Sequence, residues 1–160
     1  MFLGEFEHTL DDKGRLAIPA RFRPELGQGL VITRGLDRCL FAWPLAEWRT
    51  VAEKLGRLSL MHAEARRLQR LLFAGAVDTQ LDRLGRVLVP GFLRSYAGLT
   101  DAVVVAGVLN RLEIWDREQW NVERTAAEDQ SAPAPASASQ SHCGTGSPAA
   151  LCPVAARPRR

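Results

Sequence analysis

The chain has little that catalysis, metal binding or a membrane would need. Its 160 residues include only three cysteines, Cys39, Cys143 and Cys152, odd in number and far apart. That spacing fits neither a zinc site nor a disulfide framework. Cys39 lies in an apolar run and is expected to pack as a small hydrophobe in a reducing compartment. His8, His62 and His142 are isolated from one another and from any nucleophile. No phosphate-cradling glycine loop, HExxH or Gly-x-Ser-x-Gly occurs, so no enzyme, cofactor, metal or small-molecule substrate is expected. The N-terminus, Met1-Phe2-Leu3-Gly4-Glu5-Phe6-Glu7, has acids where a signal peptide needs bases and an apolar run. The longest apolar run, Ala102 to Leu109, is too short to span a bilayer. These absences lead us to expect a soluble intracellular protein.

Lysine is also scarce: 2 residues against 19 arginines, with a net charge of only +3. Total charge therefore decides nothing about nucleic acid. Arginine makes bidentate contacts to phosphate and guanine that lysine does not.

The strongest feature present is an internal repeat. Asp11-Asp12-Lys13-Gly14-Arg15-Leu16-Ala17-Ile18-Pro19 returns 71 residues later as Asp82-Arg83-Leu84-Gly85-Arg86-Val87-Leu88-Val89-Pro90. The shared skeleton is Asp-x-x-Gly-Arg, three apolar residues and Pro. Val31-Ile32-Thr33 aligns with Val103-Val104-Val105. Leu40-x-x-Trp43 with Trp48 aligns with Leu112-x-x-Trp115 with Trp120, at an offset of 72. Repeats of this kind decide the architecture before any local reading. The expected organisation is a first unit over 1–50, a helical linker over 51–73, a second unit over 74–122 and a disordered tail over 126–160. Ala, Pro and Ser dominate that tail, and it shows no apolar period.

Within each unit the pattern reads strand, turn, strand, short helix, strand, turn, strand. In the first unit the strands are expected over residues 2–9, Arg15 to Ile18, Leu30 to Thr33 and Cys39 to Trp43. The first two are expected to form a hairpin, and a short helix to run from Ala20 to Leu26. Linker helices follow, Leu45 to about Leu58 and Met61 to Phe73, with Ser59 near the second start. The second unit supplies strands Ala76 to Leu81, Arg86 to Val89, Ala102 to Ala106 and Arg111 to Trp115. A short helix, Gly91 to Tyr96, lies between them. Asp116 is expected to cap a last helix ending near Thr125. Strands of one unit should pair with strands of the other, because four short strands alone make a marginal core.

Two readings of the repeated turn stand side by side. Asp11 and Asp82 cap the turns and Gly14 and Gly85 supply backbone freedom, which is a purely structural role. That reading leaves Arg15 and Arg86 unexplained. In the other reading each aspartate braces the arginine four residues on, and Lys13 and Arg83 flank it. Two such arginines on one surface suit a DNA duplex, where phosphate contacts position and base contacts specify. The tryptophans are read as pins between strand and helix, and Arg66, Arg67 and Arg70 as a solvated helix face.

Paired Asp-x-x-Gly-Arg turns, each followed by an apolar residue, Pro, Leu-x-x-Trp and a further Trp, resemble the MraZ transcriptional regulators. The Leu55-x-x-Leu58-Ser59 stretch with Arg66-Arg67-x-x-Arg70-Leu71-Leu72 is similar to that family's linker. The resemblance covers about residues 1–122. It implies an α+β fold: a swapped-hairpin β-barrel of SpoVT/AbrB-like repeats with a helical linker and a C-terminal helix. It further implies a ring-shaped homo-oligomer, nucleoid-associated, that binds direct repeats in double-stranded DNA ahead of its own division and cell-wall operon. Arg15 and Arg86 are then the DNA contacts, oriented by Asp11 and Asp82. A scaffold of the same fold acting through protein contacts alone is the alternative, and would bury those arginines between subunits. Phe2, Leu3 and the helix from Leu68 to Phe73 are expected to face neighbouring subunits.

Overall fold

Most strand pairings join the two repeats, and two hairpins, one in each repeat, pair strands within a repeat. In the computed structural model, which describes residues 1–131, the strands are β1 (Phe2–Thr9), β2 (Arg15–Ala17), β3 (Leu30–Arg34), β4 (Leu40–Pro44), β5 (Val77–Thr79), β6 (Arg86–Leu88), β7 (Ala102–Leu109) and β8 (Arg111–Asp116). The α-helices are α1 (Leu45–Gly56), α2 (Ala63–Phe73), α3 (Gly91–Tyr96) and α4 (Arg117–Ser131), and a 3₁₀ helix spans Ala20–Leu26. Six strands form one antiparallel sheet in the order β1-β7-β8-β4-β3-β5, and β2 pairs with β6 in a separate ribbon. Exchanging the two repeats turns the six-strand order into its own reverse. The fold is therefore mixed α+β with a pseudo-twofold relation between its halves.

This pairing corrects the expected β1–β2 hairpin. Only a single bridge, Leu10 to Leu16, links those segments. All eight residues of β1 are instead matched to β7, from Phe2 opposite Leu109 to Thr9 opposite Ala102. Three-residue strands such as β2 and β6 hold little on their own. Paired with each other, they set Leu16 opposite Val87, and both side chains are buried. Two further hydrogen bonds cross between the repeats beyond the ribbon: Ile18 N–H to Gly85 O and Val89 N–H to Gly14 O, each 2.9 Å.

The register also corrects the alignment of β3 with β7. Leu30 pairs with Thr79 and Val103 with His8, and Thr79 and His8 are themselves repeat partners. Leu30 thus corresponds to Val103 and Ile32 to Val105, one residue away from the sequence alignment. A one-residue slip moves a strand's whole side-chain set to the other face. The central core contains Leu30, Ile32, Val103 and Val105, which fits this register and no other.

Local chemistry explains the remaining differences. Pro24 lies inside the Ala20–Leu26 segment, lacks an N–H and disfavours an α-helix, so this segment is 3₁₀ where its counterpart α3 is α-helical. Helix α2 begins at Ala63, two residues later than expected. Helix α4 continues to Ser131, past Ala126 where the tail was expected to begin. Ala126 and Ala127 favour helix, and an Arg124–Glu128 pair at 3.9 Å supports it. Residues 132–160, including His142, Cys143 and Cys152, lie outside the described residues.

A second apolar cluster sits between the sheet and the linker helices. Trp43 and Trp115 are buried there, each against the next tryptophan, Trp48 at 5.5 Å and Trp120 at 5.8 Å between ring centroids. They pin α1 and α4 to the strands that precede them. Cys39 packs in the same cluster, and burial pushes its thiol pKa far up. Asp116 caps α4 by accepting the Glu118 N–H at 3.0 Å. The Trp120 indole N–H donates to Glu5 on β1 at 2.8 Å. No helix among the described residues is long and apolar enough to cross a membrane.

Gly107 of β7 faces Gly4 of β1, and a Cβ at Gly107 would lie 2.6 Å from the Leu3 nitrogen and 2.7 Å from the Phe2 carbonyl carbon. Both atoms are backbone and have nowhere to rotate. Gly107→Ala is expected to push β1 off β7 and to cost about 1–3 kcal/mol, read as a fall in melting temperature. An unchanged melting temperature would mean that β1 is not seated as described.

Candidate functional site: two braced arginines on one ribbon

Each Asp-x-x-Gly-Arg segment closes the same turn. Gly14 N–H donates to Asp11 O at 2.9 Å, and Asp11 N–H donates to Arg15 O at 3.0 Å. The second copy repeats both bonds, Gly85 to Asp82 at 2.9 Å and Asp82 to Arg86 at 2.8 Å. The chain reverses through a left-handed glycine in each, φ 77° at Gly14 and 74° at Gly85. A side chain would be strained there.

The aspartates do two tasks with their two oxygens. Asp11 Oδ1 accepts the backbone N–H of Lys13 and of Arg15, at 3.0 and 2.8 Å. Its Oδ2 accepts the Arg15 Nε–H at 2.6 Å. Asp82 Oδ1 accepts from Leu84 and Arg86, both at 2.9 Å, and its Oδ2 accepts the Arg86 Nε–H at 2.8 Å. The capping and bracing readings are therefore one arrangement. One oxygen holds the turn while the other holds the guanidinium.

The antiparallel register brings the two braces onto one face. Arg15 lies opposite Leu88 and Arg86 opposite Ala17, while Leu16 and Val87 point into the core. Arg86 Nη1 comes within 3.9 Å of Asp11 Oδ2, so the Asp11 carboxylate touches the arginines of both copies. The arginine side chains are 33% and 28% exposed, which leaves their outer edges to solvent. Lys13 and Arg83 are exposed on the same turns, at non-equivalent positions: Lys13 corresponds to Leu84, and Arg83 to Asp12.

Two arginines escaped the sequence reading. Arg23, in the 3₁₀ helix, and Arg94, in α3, are also 71 residues apart, and extending the repeat past the prolines would have found them. Each lies across the glycine of the other copy's turn. A Cβ at Gly14 would sit 2.9 Å from both Cζ and Nε of Arg94, and a Cβ at Gly85 would collide with the Arg23 guanidinium. Arg23 Nε–H also donates to Ile18 O at 2.8 Å, whereas Arg94 Nε is buried without a partner among the described residues.

The remaining candidate groups lie elsewhere. Asp12 is exposed on the first turn. His8 is on β1, its pKa lowered by partial burial and by the nearby Arg23 charge. Among the described residues no group of three or more His, Cys, Asp or Glu is placed to hold a metal ion. Arg67 and Arg70 are exposed on α2, and Arg66 half-buried.

What this geometry defines is a two-repeat α+β protein whose repeats jointly present a pair of aspartate-braced arginines on one β-ribbon. The family model described as "MraZ protein, putative antitoxin-like" matches residues 1–71 and again 72–141. The chain belongs to the MraZ family. Over 130 residues it is 52% identical to the transcriptional regulator MraZ of Moorella thermoacetica, covering 81% of this chain and 91% of that protein. Over 120 residues it is 54% identical to the transcriptional regulator MraZ of Roseiflexus castenholzii, covering 75% and 84% of the two chains. Both relatives bear the name of a regulator and not of an enzyme.

The hydrogen bonds from the backbone N–H groups of Arg15 and Arg86, followed by the paired guanidinium groups, hold the Asp11 and Asp82 carboxyl pKa values below the ordinary range. The folded chain thus takes up these protons less readily than the unfolded chain. Each brace contributes fully above the ordinary aspartate pKa of about 3.9 and loses its contribution as pH falls below that value. An NMR titration should show both carboxyls ionising below the ordinary aspartate pKa of about 3.9. A midpoint for Asp11 or Asp82 at or above about 3.9 would contradict the braced geometry.

Proposed function

We propose that this chain is a sequence-specific DNA-binding transcriptional regulator that reads promoter direct repeats with Arg15 and Arg86. The observation that carries this reading is the pair of arginines fixed by Asp11 and Asp82 on the outer face of one ribbon. A two-stranded ribbon fits a major groove about 12 Å wide, and arginine there reads guanine O6 and N7. Prior bracing lowers the side-chain entropy lost on contact. Lys13 and Arg83 add phosphate attraction from the same turns. The partial exposure of both arginines favours this reading over a scaffold that works through protein contacts alone.

In this reading the halves over 1–50 and 74–122 form one swapped-hairpin barrel, linked by 51–73. Copies of the chain close into a ring on the nucleoid. The target is the set of repeats ahead of its own division and cell-wall operon, which the protein represses. The surface offered to a neighbour differs from the one expected. Phe2 is buried in the chain's own core at 1% exposure and Leu72 is buried on the inner side of α2, so neither is available. Leu3, Leu109 and Phe73 remain exposed, the first two near the same end of the β1–β7 ladder. The sheet edge β1 suits a heterologous contact that closes on rotation.

A ring gains affinity by presenting the same turn several times to spaced sites. Arg15→Ala removes a contact worth roughly 1–3 kcal/mol from every engaged subunit at once. In a mobility-shift titration with the DNA upstream of its own gene, this variant should lose all preference over a scrambled duplex. Its circular dichroism and light-scattering size should stay those of wild type, since a half-exposed ion pair adds little to the fold. Arg15→Ala binding the upstream duplex as tightly as wild type, at equal salt, would sink the assignment.

A further inference from the structure

Bracing has an electrostatic consequence. Arg15 is neutralised by Asp11 and Arg86 by Asp82, so neither pair attracts a polyanion strongly at long range. Across the two turns, the three aspartates Asp11, Asp12 and Asp82 nearly cancel Lys13, Arg15, Arg83 and Arg86, leaving one net positive charge. Arg23 and Arg94 differ from the braced pair. Among the described residues neither has a carboxylate within ion-pair distance. Counting them raises the local charge from one to three. Both are half-buried, each packed across a turn glycine of the other repeat, and Arg23 is also tied to Ile18 O.

We propose that Arg23 and Arg94 are a second, outer pair of DNA contacts that grip the phosphate backbone on either side of the base-reading ribbon. The inference rests on the DNA-binding reading above and adds a division of labour to it. The braced arginines carry sequence preference and little net charge. The unbraced arginines carry attraction and no sequence preference. Their packing on Gly14 and Gly85 fixes the distance between the two kinds of contact, because each guanidinium lies against the turn that bears the neighbouring braced arginine.

Counterion release separates these roles. For duplex DNA the logarithm of the binding constant falls with the logarithm of salt by about 0.9 per neutralised phosphate. Full-length wild type, Arg23→Gln, Arg94→Gln and the corresponding Lys variants are titrated by fluorescence anisotropy. The probes are the upstream duplex and a scrambled duplex of equal length, over roughly 50–200 mM KCl. We expect each Gln variant to bind both duplexes several-fold more weakly, by the same factor, with the salt slope shallower by about one per engaged subunit. The Lys variants lose the same planar packing but keep the charge, and should retain the wild-type slope. A wild-type slope in the Gln variants would overturn the inference, as would equal flattening in the Lys variants or a loss confined to the upstream duplex. A wild type that does not distinguish the duplexes defeats the regulator reading instead, and slopes that still flatten in the Gln variants would leave the backbone contact standing. A second measurement needs no variant. Modification of wild type by an arginine-specific reagent, mapped by mass spectrometry, should fall at Arg23 and Arg94 when scrambled duplex is added. Unchanged modification at both would overturn the inference.

Discussion

The crossing of the two turns is the constraint on which the rest of this fold depends. Ile18 N–H reaches Gly85 O and Val89 N–H reaches Gly14 O, so each turn's glycine carbonyl is committed to the other repeat. Directly beneath, Leu16, Ile18, Val87 and Val89 are buried to 1% exposure or less. Among the described residues neither β2 nor β6 has another ladder to join. A single repeat would leave these polar groups unpaired and these side chains wet, and both penalties are large against the marginal stability of a small domain. The face carrying Arg15 and Arg86 is therefore assembled by the centre of the fold. It is not a pair of independent loops.

Much of this was legible in the sequence, for identifiable reasons. The repeat was visible because the turn demands particular residues: an aspartate to accept backbone N–H groups, a glycine at positive φ, and a proline after the strand. The tryptophan pairs were visible because large side chains at a strand–helix junction have few other uses. The partner of each strand was not legible. A hairpin between β1 and β2 satisfies the same local pattern as the observed pairing with β7 and β6, and only long-range packing decides between them. The alignment of β3 with β7 failed similarly. Both strands are apolar on both faces, so alternation gave no phase, and register rested on hydrogen-bonding partners far away in sequence. Phe2 looked like a surface residue by position, yet it stacks edge-on against Phe22 at 5.3 Å within the core. The repeat spacing of Arg23 and Arg94 was legible, whereas the distant glycine that each lies across was not.

The same packing explains why the turns need glycine twice over. Positive φ already disfavours any other residue at Gly14 and Gly85, and an arginine from the other repeat fills the space a Cβ would take. Backbone geometry and charge placement are thus coupled. The turn closes only with glycine, and the glycine makes room for the cation. An aspartate on one side and an arginine on the other hold each turn between opposite charges. This fixes the tip more firmly than the turn hydrogen bonds alone.

The backbone of the two halves is nearly symmetric, but their surfaces are not. Arg15 is surrounded by Lys13 and Ala17, whereas Arg86 is surrounded by Leu84 and Leu88, which are 65% and 54% exposed. Phe92, in the helix after the second turn, is exposed as well. Repetition supplied two copies of one rigid device, and the rims then diverged where no packing constrained them. On the regulator reading this makes the two arginines chemically unequal. The first turn is polar at its rim, where Lys13 is offset by Asp12. The second brings apolar surface, whose burial against a thymine methyl or a neighbouring subunit is largely indifferent to salt. On that reading a pseudo-symmetric chain meets an asymmetric DNA site with two different halves, although its fold treats those halves alike.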